Sequence, residues 1–207
     1  MPGQVGKFIV IDGVEGAGKS TQIKKLKENL GEKAVVTREP GGSPYAEEIR
    51  ELILNSEYAG QANAKVMFAL FWAARADHLA RTIIPALESG SLVISDRFDS
   101  TTFTHQIYGQ EEKELTELFW TMRDYYLEDR APETYIFLDV DPGLALERKV
   151  VNKSESNHFD EREIAFHERV REGTRAFAEQ VPSRFVDASQ PIDKVTESIT
   201  EMINEYL

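Results

Sequence analysis

The feature that most constrains the fold is a glycine-rich segment of eight residues between a short apolar run and an amphipathic stretch. The segment reads G-V-E-G-A-G-K-S from Gly13 to Ser20 and fits the pattern G-x-x-x-x-G-K-[ST]. Before it, Phe8–Ile11 is a β-branched apolar run typical of a strand that is buried on both faces. After it, residues 19–30 carry apolar side chains at helical spacing. This order of strand, loop and helix is typical of a phosphate-binding loop.

The members of this segment have separate roles in such a loop. Glycines let backbone N–H groups point inward around a phosphate, and the N-terminus of the next helix adds unpaired donors. Lys19 is predicted to reach the β- and γ-phosphates, and Ser20 to offer its hydroxyl to Mg²⁺. Asp96, which ends a later strand, is a candidate water-mediated or outer partner of the ion. The sequence therefore predicts a site for a nucleoside triphosphate with Mg²⁺.

Short apolar strands alternate with helices along the rest of the chain. Further strands are predicted at Ala34–Thr37, Leu92–Ser95, Tyr135–Val140 and Arg184–Asp187. Helices are predicted at Tyr45–Leu54, Ala64–Leu87 with a break at Pro85, two within Thr101–Leu127, then Pro142–Val151, Glu161–Gln180 and Ile192–Tyr206. The pattern predicts an α/β fold in three layers, with a five-stranded parallel sheet and helices on both faces.

Ligands of such sheets bind beyond the carboxyl ends of the strands. The unusual polar segments of this chain follow predicted strands: Asp12–Ser20, Arg38–Gly42, Asp96 and Arg97, and Asp187–Gln190. Their positions predict one shared site, independently of any single motif.

Composition narrows the class of protein. The 207 residues suit one domain over 1–207, with a short lid at about 149–160. With 24 basic and 36 acidic residues the net charge is −12, which argues against a nucleic-acid polymer or an anionic membrane surface as partner. The absence of cysteine excludes disulfides and thiolate chemistry. Residues 1–7 lack the apolar core of a signal peptide, and Val66–Ala74 is too short to span a bilayer, so we expect a cytoplasmic protein.

Three arginines suggest a second anionic ligand. Arg38 and Arg97 follow different strands, and Arg75 lies four residues after the ring of Phe71. Guanidinium groups bind phosphate through a planar fork, and an aromatic ring beside an arginine orients a nucleobase. The plain alternatives are surface ion pairs for each arginine and core packing for Phe71. Their convergence on one sheet edge favours a second phosphorylated ligand beside the triphosphate.

Four segments together resemble the bacterial thymidylate kinase family. They are Asp12–Thr21, T-R-E-P-G-G at Thr37–Gly42, F-W-A-A-R at Phe71–Arg75, and D-R-F at Asp96–Phe98. The resemblance implies a P-loop kinase that transfers the γ-phosphoryl group of ATP to dTMP, giving dTDP, and that forms a homodimer through helices.

The resemblance also implies roles for individual residues. The catalytic group comprises Asp12, Glu15, Lys19, Arg97 and Lys153. The cofactor ATP would contact Gly13, Val14, Glu15, Gly16, Ala17, Gly18, Lys19, Ser20, Thr21, Arg148, Ala188, Ser189 and Gln190. The substrate dTMP would contact Arg38, Glu39, Pro40, Phe71, Arg75, Arg97, Thr101, Thr102, His105 and Gln106. In this scheme the three arginines bind the acceptor phosphate or the transferring group, and Phe71 stacks on thymine.

Three features depart from the family pattern, and one of them is a shortened loop at Ile107–Gln110. His105 stands where the family has a tyrosine under the deoxyribose, which leaves the selectivity for the sugar open. The phosphate loop holds no extra basic residue, and the predicted lid has no arginine. We therefore expect Arg148, Lys149 or Lys153 to close over the phosphates, the alternative being a polar loop without catalytic charge.

Two other functions remain open on the sequence. One is a kinase for a different pyrimidine monophosphate, such as dUMP or a nucleotide with a modified base. The other is a nucleotide-binding regulatory module without catalysis, against which the second-site arginines argue.

Overall fold

The computed structural model describes residues 5–151 and 163–207, of which residues 149–151 are described by their backbone. Five strands form one sheet in which every neighbouring pair is parallel. The strands are β1 (Phe8–Gly13), β2 (Ala34–Arg38), β3 (Leu92–Asp96), β4 (Thr134–Asp139) and β5 (Ser183–Asp187). Their order across the sheet is β2-β3-β1-β4-β5. The predicted five-stranded parallel sheet is confirmed.

Helices connect the strands and cover both faces. Within the described ranges they are α1 (Lys19–Leu30), α2 (Pro44–Asn55), α3 (Ala64–His78), α4 (Ile84–Glu88), α5 (Asp99–Thr102), α6 (Leu115–Leu127), α7 (Pro142–Val151), α8 (Ile164–Ala178) and α9 (Ile192–Asn204). Short 3₁₀ turns occupy Gly31–Lys33 and Ala59–Gln61. None of these helices combines the length and the apolar character that a membrane-spanning segment needs.

Two helical stretches contain π-helical turns. After His78, α3 continues as π turns over Leu79–Ile83 into α4, so the break precedes Pro85 instead of falling on it. Proline has no N–H and its ring crowds the carbonyl four residues earlier, and a wider turn ahead of it relieves that crowding. Likewise α5 continues as π turns over Phe103–Gly109. Such turns are frequent at functional sites, and both lie next to side chains of the site described below.

Side chains that alternate along β1 enter two hydrophobic cores. Ile9 and Ile11 pack with residues of α1 and α9, whereas Phe8 and Val10 pack on the opposite face. The second core is rich in aromatic rings, including Trp72, Phe103, Phe119, Tyr135, Phe137 and Phe177. Burial on both faces anchors α1, α3 and the turns after α5, whose ends carry the site.

Backbone hydrogen bonds bring the segments that follow β2 and β3 to one edge of the sheet. The Glu39 N–H donates to the Asp96 carbonyl at 2.9 Å, and the Arg97 N–H donates to the Ile11 carbonyl at 2.9 Å. The polar segments after these strands therefore meet at the carboxyl edge, where ligands of such sheets bind.

Candidate active site

Residues 14–18 form the loop between β1 and α1. Gly16 and Gly18 have φ angles of 78° and 92°, in the left-handed region that favours glycine. At Gly16 a Cβ atom would lie 2.1 Å from the carbonyl oxygen of Ala145 in α7. Backbone conformation and close packing both require glycine at this position, so the shape of the loop is fixed by the fold around it.

Lys19 begins α1 and turns its ammonium group back into the loop. Its Nζ donates hydrogen bonds to the carbonyl oxygens of Gly13 and Val14, both at 2.8 Å. Burial lowers the pKa of Lys19, and the guanidinium of Arg97 lowers that pKa further, against the opposing effect of nearby carboxylates. A buried ammonium that donates to neutral carbonyl oxygens would gain from an anionic ligand in the loop.

The Asp12 carboxylate accepts four hydrogen bonds from protein donors. They come from the Gly13 N–H at 2.7 Å, the Ser100 hydroxyl at 2.7 Å, the Thr101 hydroxyl at 2.8 Å and an Arg97 N–H at 3.0 Å. With both oxygens engaged, Asp12 is arranged to hold the side chains around the phosphates. Ser100 was missed by sequence reasoning, although it lies in the run of hydroxyl residues after D-R-F.

Arg97 follows β3 and reaches across to the phosphate loop. Its φ angle is 65°, a left-handed conformation that costs energy for a residue with a Cβ atom. Its guanidinium forms ion pairs with Asp12 and Glu15. A phosphate that approaches Arg97 therefore competes with two carboxylates.

Asp96 ends β3 beside Arg97, and its Oδ1 is buried without a hydrogen-bond partner among the residues described. Burial raises the pKa of this carboxyl, while Lys19 and Arg97 act in the opposite direction. An oxygen with free lone pairs suits a cation or a water bound to one. Ser20 lies in the first turn of α1 with its side chain exposed, as does Thr21. In the described part of the chain, no group of three or more His, Cys, Asp or Glu side chains could hold a metal ion.

Arg75 is buried in α3 and paired with a carboxylate. Its Nε and Nη2 lie 3.0 and 2.9 Å from the same oxygen of Glu39, and Nη2 also donates to the Thr102 hydroxyl at 3.0 Å. The guanidinium carbon lies 4.5 Å from the ring centre of Trp72 and 5.1 Å from that of Phe98. The remaining Nη1 is buried and has no partner among the described residues. Arg75 is thus ion-paired and keeps its Nη1 group open, and its role as a phosphate ligand stays a prediction.

The π turns after α5 place further polar groups near Arg75. Gln106 is fully buried, and neither atom of its amide has a hydrogen-bond partner in the described part of the chain. These π turns begin directly after Thr102, whose hydroxyl binds Arg75. Buried amide atoms without partners are costly unless a ligand binds them. We call the region around these amide atoms and Nη1 of Arg75 the candidate acceptor pocket.

His105 is buried next to these groups. Its Nδ1 lies 3.1 Å from the Thr101 carbonyl oxygen and 3.0 Å from the Thr104 hydroxyl. Because a carbonyl oxygen can only accept, Nδ1 carries the proton. Burial lowers the pKa of His105 to about 4, and the charge of Arg97 contributes to that shift. The imidazole is therefore neutral at pH 7.

The T-R-E-P-G-G segment bends over the same edge, with a cis peptide bond between Glu39 and Pro40. Arg38 is exposed and donates to both oxygens of Glu47, at 3.0 and 2.8 Å. Arg50, which the sequence analysis missed, donates to the Pro40 carbonyl at 2.6 Å. Burial lowers the pKa of Arg50, as does the neighbouring Arg38, so two guanidinium groups lie close together. The spacing could have pointed to Arg50, since it follows Glu47 by one helical turn and therefore lies on the same face of α2.

Phe71 lies one turn before Arg75 and is 5% exposed. It belongs to the apolar cluster between α2 and α3 that contains Ala46, Ile49, Ile53, Met67 and Ala74. These contacts match the core-packing alternative, and stacking of Phe71 on a base stays a prediction.

The segment after β5 is held by Asp187 and by α7. An oxygen of Asp187 accepts from the Ser189 N–H at 2.9 Å and the Ser189 hydroxyl at 2.6 Å, and Gln190 lies 3.4 Å from the other oxygen. Arg148 donates to the carbonyl oxygens of Ala188 at 2.6 Å and Ser189 at 3.0 Å. Arg148 therefore binds the backbone of the predicted adenine segment, and its closure over the phosphates stays a prediction.

Two lid predictions cannot be placed. Lys153 and most of the predicted lid lie outside the described residues, and the side chain of Lys149 does too. Conversely, the structure brings His78 into contact with both Thr37 and Glu39, which the sequence analysis did not foresee.

The phosphate loop and the sheet behind it place the chain among the P-loop nucleotide-binding proteins. The candidate acceptor pocket would supply the second site that a phosphoryl transferase needs to bring an acceptor to the triphosphate. The profile of the thymidylate kinase family matches residues 11–199, and the chain belongs to this family.

Relatives support the assignment over nearly the full length. The chain is 39% identical over 196 residues to a thymidylate kinase of Geobacillus thermodenitrificans, covering 92% of this chain and 86% of the relative. It is 38% identical to a thymidylate kinase of Bacillus cytotoxicus, covering 98% of this chain and 99% of the relative. The crystal structure of thymidylate kinase from Ehrlichia chaffeensis is similar in fold, with a TM-score of 0.76 at 26% identity over 97% of this chain and 99% of that chain.

Proposed function

We propose that this chain transfers the γ-phosphoryl group of Mg²⁺-ATP to dTMP, releasing ADP and dTDP. Membership in the thymidylate kinase family supports the reaction. One observation carries the choice of acceptor: the buried, unpaired Nη1 of Arg75 and both unpaired amide atoms of Gln106.

These atoms match the hydrogen-bonding edge of thymine. The Arg75 N–H suits a carbonyl at position 4, while the Gln106 amide can accept from the ring N3–H and donate to a carbonyl. Cytosine has an amino group and an unprotonated N3 there, so it would leave buried groups mismatched. Because Glu39 already neutralises Arg75, we assign Arg75 to the base and leave Arg38 and Arg97 for the phosphates. Uracil has the same edge, and family membership favours thymine.

The chemistry requires positioning and charge neutralisation more than a covalent nucleophile. An oxygen of the acceptor phosphate forms the new bond to the γ-phosphorus, and the bond to the β–γ bridging oxygen breaks with ADP as leaving group. Lys19 and Arg97 would contact the oxygens on which charge spreads, and Asp12 fixes Arg97 for that contact. When bound, Mg²⁺ would neutralise the β- and γ-phosphate oxygens, and Ser20 and the open oxygen of Asp96 are the groups suited to hold it.

The remaining predictions belong to the same proposal. Glu15 and Lys153 would assist at the phosphates, and the whole chain would act as one kinase domain with its lid at about 149–160. A homodimer and a cytoplasmic location also stay predictions.

A panel of acceptors tests the proposal. ADP release from Mg²⁺-ATP is measured with dTMP, dUMP, dCMP or no acceptor, and Lys19→Ala serves as the inactive control. We expect dTMP to give the highest kcat/KM and dCMP to be lower by about 10²-fold or more. A preference for dUMP would reassign the substrate. ADP release that is independent of any acceptor would favour the regulatory module.

A further inference from the structure

We propose that His78 is a positioning residue for the acceptor: it fixes Glu39, which in turn aims Arg75 into the pocket. The inference rests on the proposed function for the identity of the acceptor. His78 ends α3 and is fully buried, and Glu39 and Arg75 are buried with it.

A continuous set of hydrogen bonds connects β2 to Arg75 through the imidazole. The Thr37 hydroxyl lies 2.7 Å from His78 Nε2, and His78 Nδ1 lies 3.0 Å from Glu39 Oε1. Glu39 Oε2 accepts from Arg75. A carboxylate only accepts, so Nδ1 donates to Glu39, while Nε2 shares a hydrogen bond with the Thr37 hydroxyl. Each Glu39 oxygen thus has its own buried partner, and the carboxylate is held at both ends.

Packing leaves the imidazole little freedom to turn. At Gly42, where φ is 83°, a Cβ atom would lie 2.3 Å from His78 Nε2 and 2.5 Å from the Thr37 hydroxyl oxygen. From the π turns after α3, the Thr82 hydroxyl donates to the Gly42 carbonyl at 2.7 Å, so its bond is to the backbone and not to the ring. Rotation of the ring would break its bonds to both Thr37 and Glu39.

Loss of His78 should affect the binding of the phosphoryl acceptor and not the binding of ATP. Arg75 Nη1 is the open donor of the pocket, and its direction depends on the Glu39 carboxylate that binds Nε and Nη2. Without His78, one oxygen of Glu39 loses its buried partner and the carboxylate is free to shift, which moves Arg75 away from its aim. Lys19, at the phosphate loop, instead donates to the carbonyl oxygens of Gly13 and Val14. Loss of His78 should therefore weaken binding of dTMP while binding of ATP is retained.

Two substitutions of His78 distinguish its hydrogen bond to Glu39 from its hydrogen bond to Thr37. In His78→Asn the amide N–H lies near the position of Nδ1 and still reaches Glu39, whereas in His78→Gln the amide reaches only toward Thr37. We expect His78→Gln to raise the KM for dTMP about tenfold, His78→Asn about threefold, and both to leave kcat and the KM for ATP within about twofold. Thr82→Val is the matched control, because it removes a bond between the same two segments outside this set and should leave the KM for dTMP unchanged.

Calorimetric titration of each variant with dTMP and a thermal unfolding scan accompany the kinetics. Equal losses for dTMP and ATP, an equal shift in Thr82→Val, or no advantage of Asn over Gln would overturn the inference. If His78→Gln does not fold, Thr37→Val must raise the KM for dTMP about threefold, and an unchanged KM would also overturn it. A wild-type chain that does not phosphorylate dTMP refutes the proposed function instead, and the variants are then compared on the monophosphate that the panel identifies.

Discussion

The phosphate loop and the acceptor pocket lie side by side but satisfy their polar groups in opposite ways. In the loop, Lys19 donates to two carbonyl oxygens, Arg97 pairs with two carboxylates, and Asp12 accepts four hydrogen bonds. In the pocket, Arg75 and Gln106 keep buried polar atoms without partners among the described residues.

This difference predicts different costs of binding. In the loop a phosphate must replace contacts that the protein makes with itself, so the loop keeps its shape at the expense of affinity. In the pocket a ligand satisfies atoms that are otherwise buried and unpaired, so it removes a cost that folding has already incurred. Substitutions in the loop should therefore lower kcat most. Apolar substitutions in the pocket should weaken acceptor binding and raise the stability of the fold.

The largest effect is expected for Arg97→Ala, which removes one of the two cations proposed to contact the transferring group. We expect kcat to fall by about 10³-fold, because an arginine at a transferring phosphoryl group is worth that much or more. Arg184→Ala removes an exposed arginine paired with Glu205, and should leave kcat unchanged. Steady-state ADP release measures both, and a fall of less than about tenfold for Arg97→Ala would contradict a role at the transition state.

A smaller effect on activity, together with a gain in stability, is expected for Gln106→Leu. Replacing the unpaired amide by an apolar group should raise the melting temperature, while kcat/KM for dTMP falls by roughly 10²-fold. Gln22→Leu is the matched control, since Gln22 is equally buried but bonds to the Ile192 carbonyl and the Thr196 hydroxyl. That variant should lose stability by about 1–2 kcal/mol and keep its affinity for dTMP. Thermal unfolding and acceptor titration measure both properties, and a destabilised Gln106→Leu would show that the amide is already satisfied.

The features that could be predicted from the sequence are those that depend on neighbouring residues, and the features that could not depend on distant ones. The strands, their parallel arrangement and the phosphate loop depend on local signals: β-branched runs, helical spacing and the glycines of residues 13–18. These signals are readable without knowing which distant segments meet. The sheet and the loop are accordingly where predicted, within one or two residues at the ends of the elements.

The partners of the polar groups could not be predicted in this way. The ion pair of Arg75 could not be read from its neighbours, because its partner Glu39 lies 36 positions earlier in the chain. Asp12 meets Ser100 across 88 positions, and His78 meets Thr37 across 41. Such contacts follow from the order of strands in the sheet, which apolar periodicity does not specify. The π turns, too, have no local sequence signal apart from Pro85.

The smallest predicted effect is a pH dependence of stability caused by His105. This residue lies in the pocket, and the charge of Arg97 contributes to its pKa shift. Its pKa is about 4 in the folded protein, lowered by burial and by Arg97, against an ordinary value of 6.5. The unfolded chain therefore binds more protons between these two values, so this contribution to stability is complete above pH 6.5 and is lost as the pH falls toward 4.

Urea unfolding at pH 7.5 and pH 5.0 measures this contribution. We expect the wild-type chain to lose about 2 kcal/mol more than His105→Asn between the two pH values, because asparagine keeps a donor toward the Thr101 carbonyl but does not titrate. The carboxylates titrate in both proteins, so their contribution cancels in the comparison. Equal pH dependence in the two proteins would mean that His105 titrates normally, and that the pocket reaches water more easily than the burial of His105 implies. In that case the contrast would no longer hold between a phosphate loop whose polar groups bind one another and a pocket whose polar groups are buried away from water.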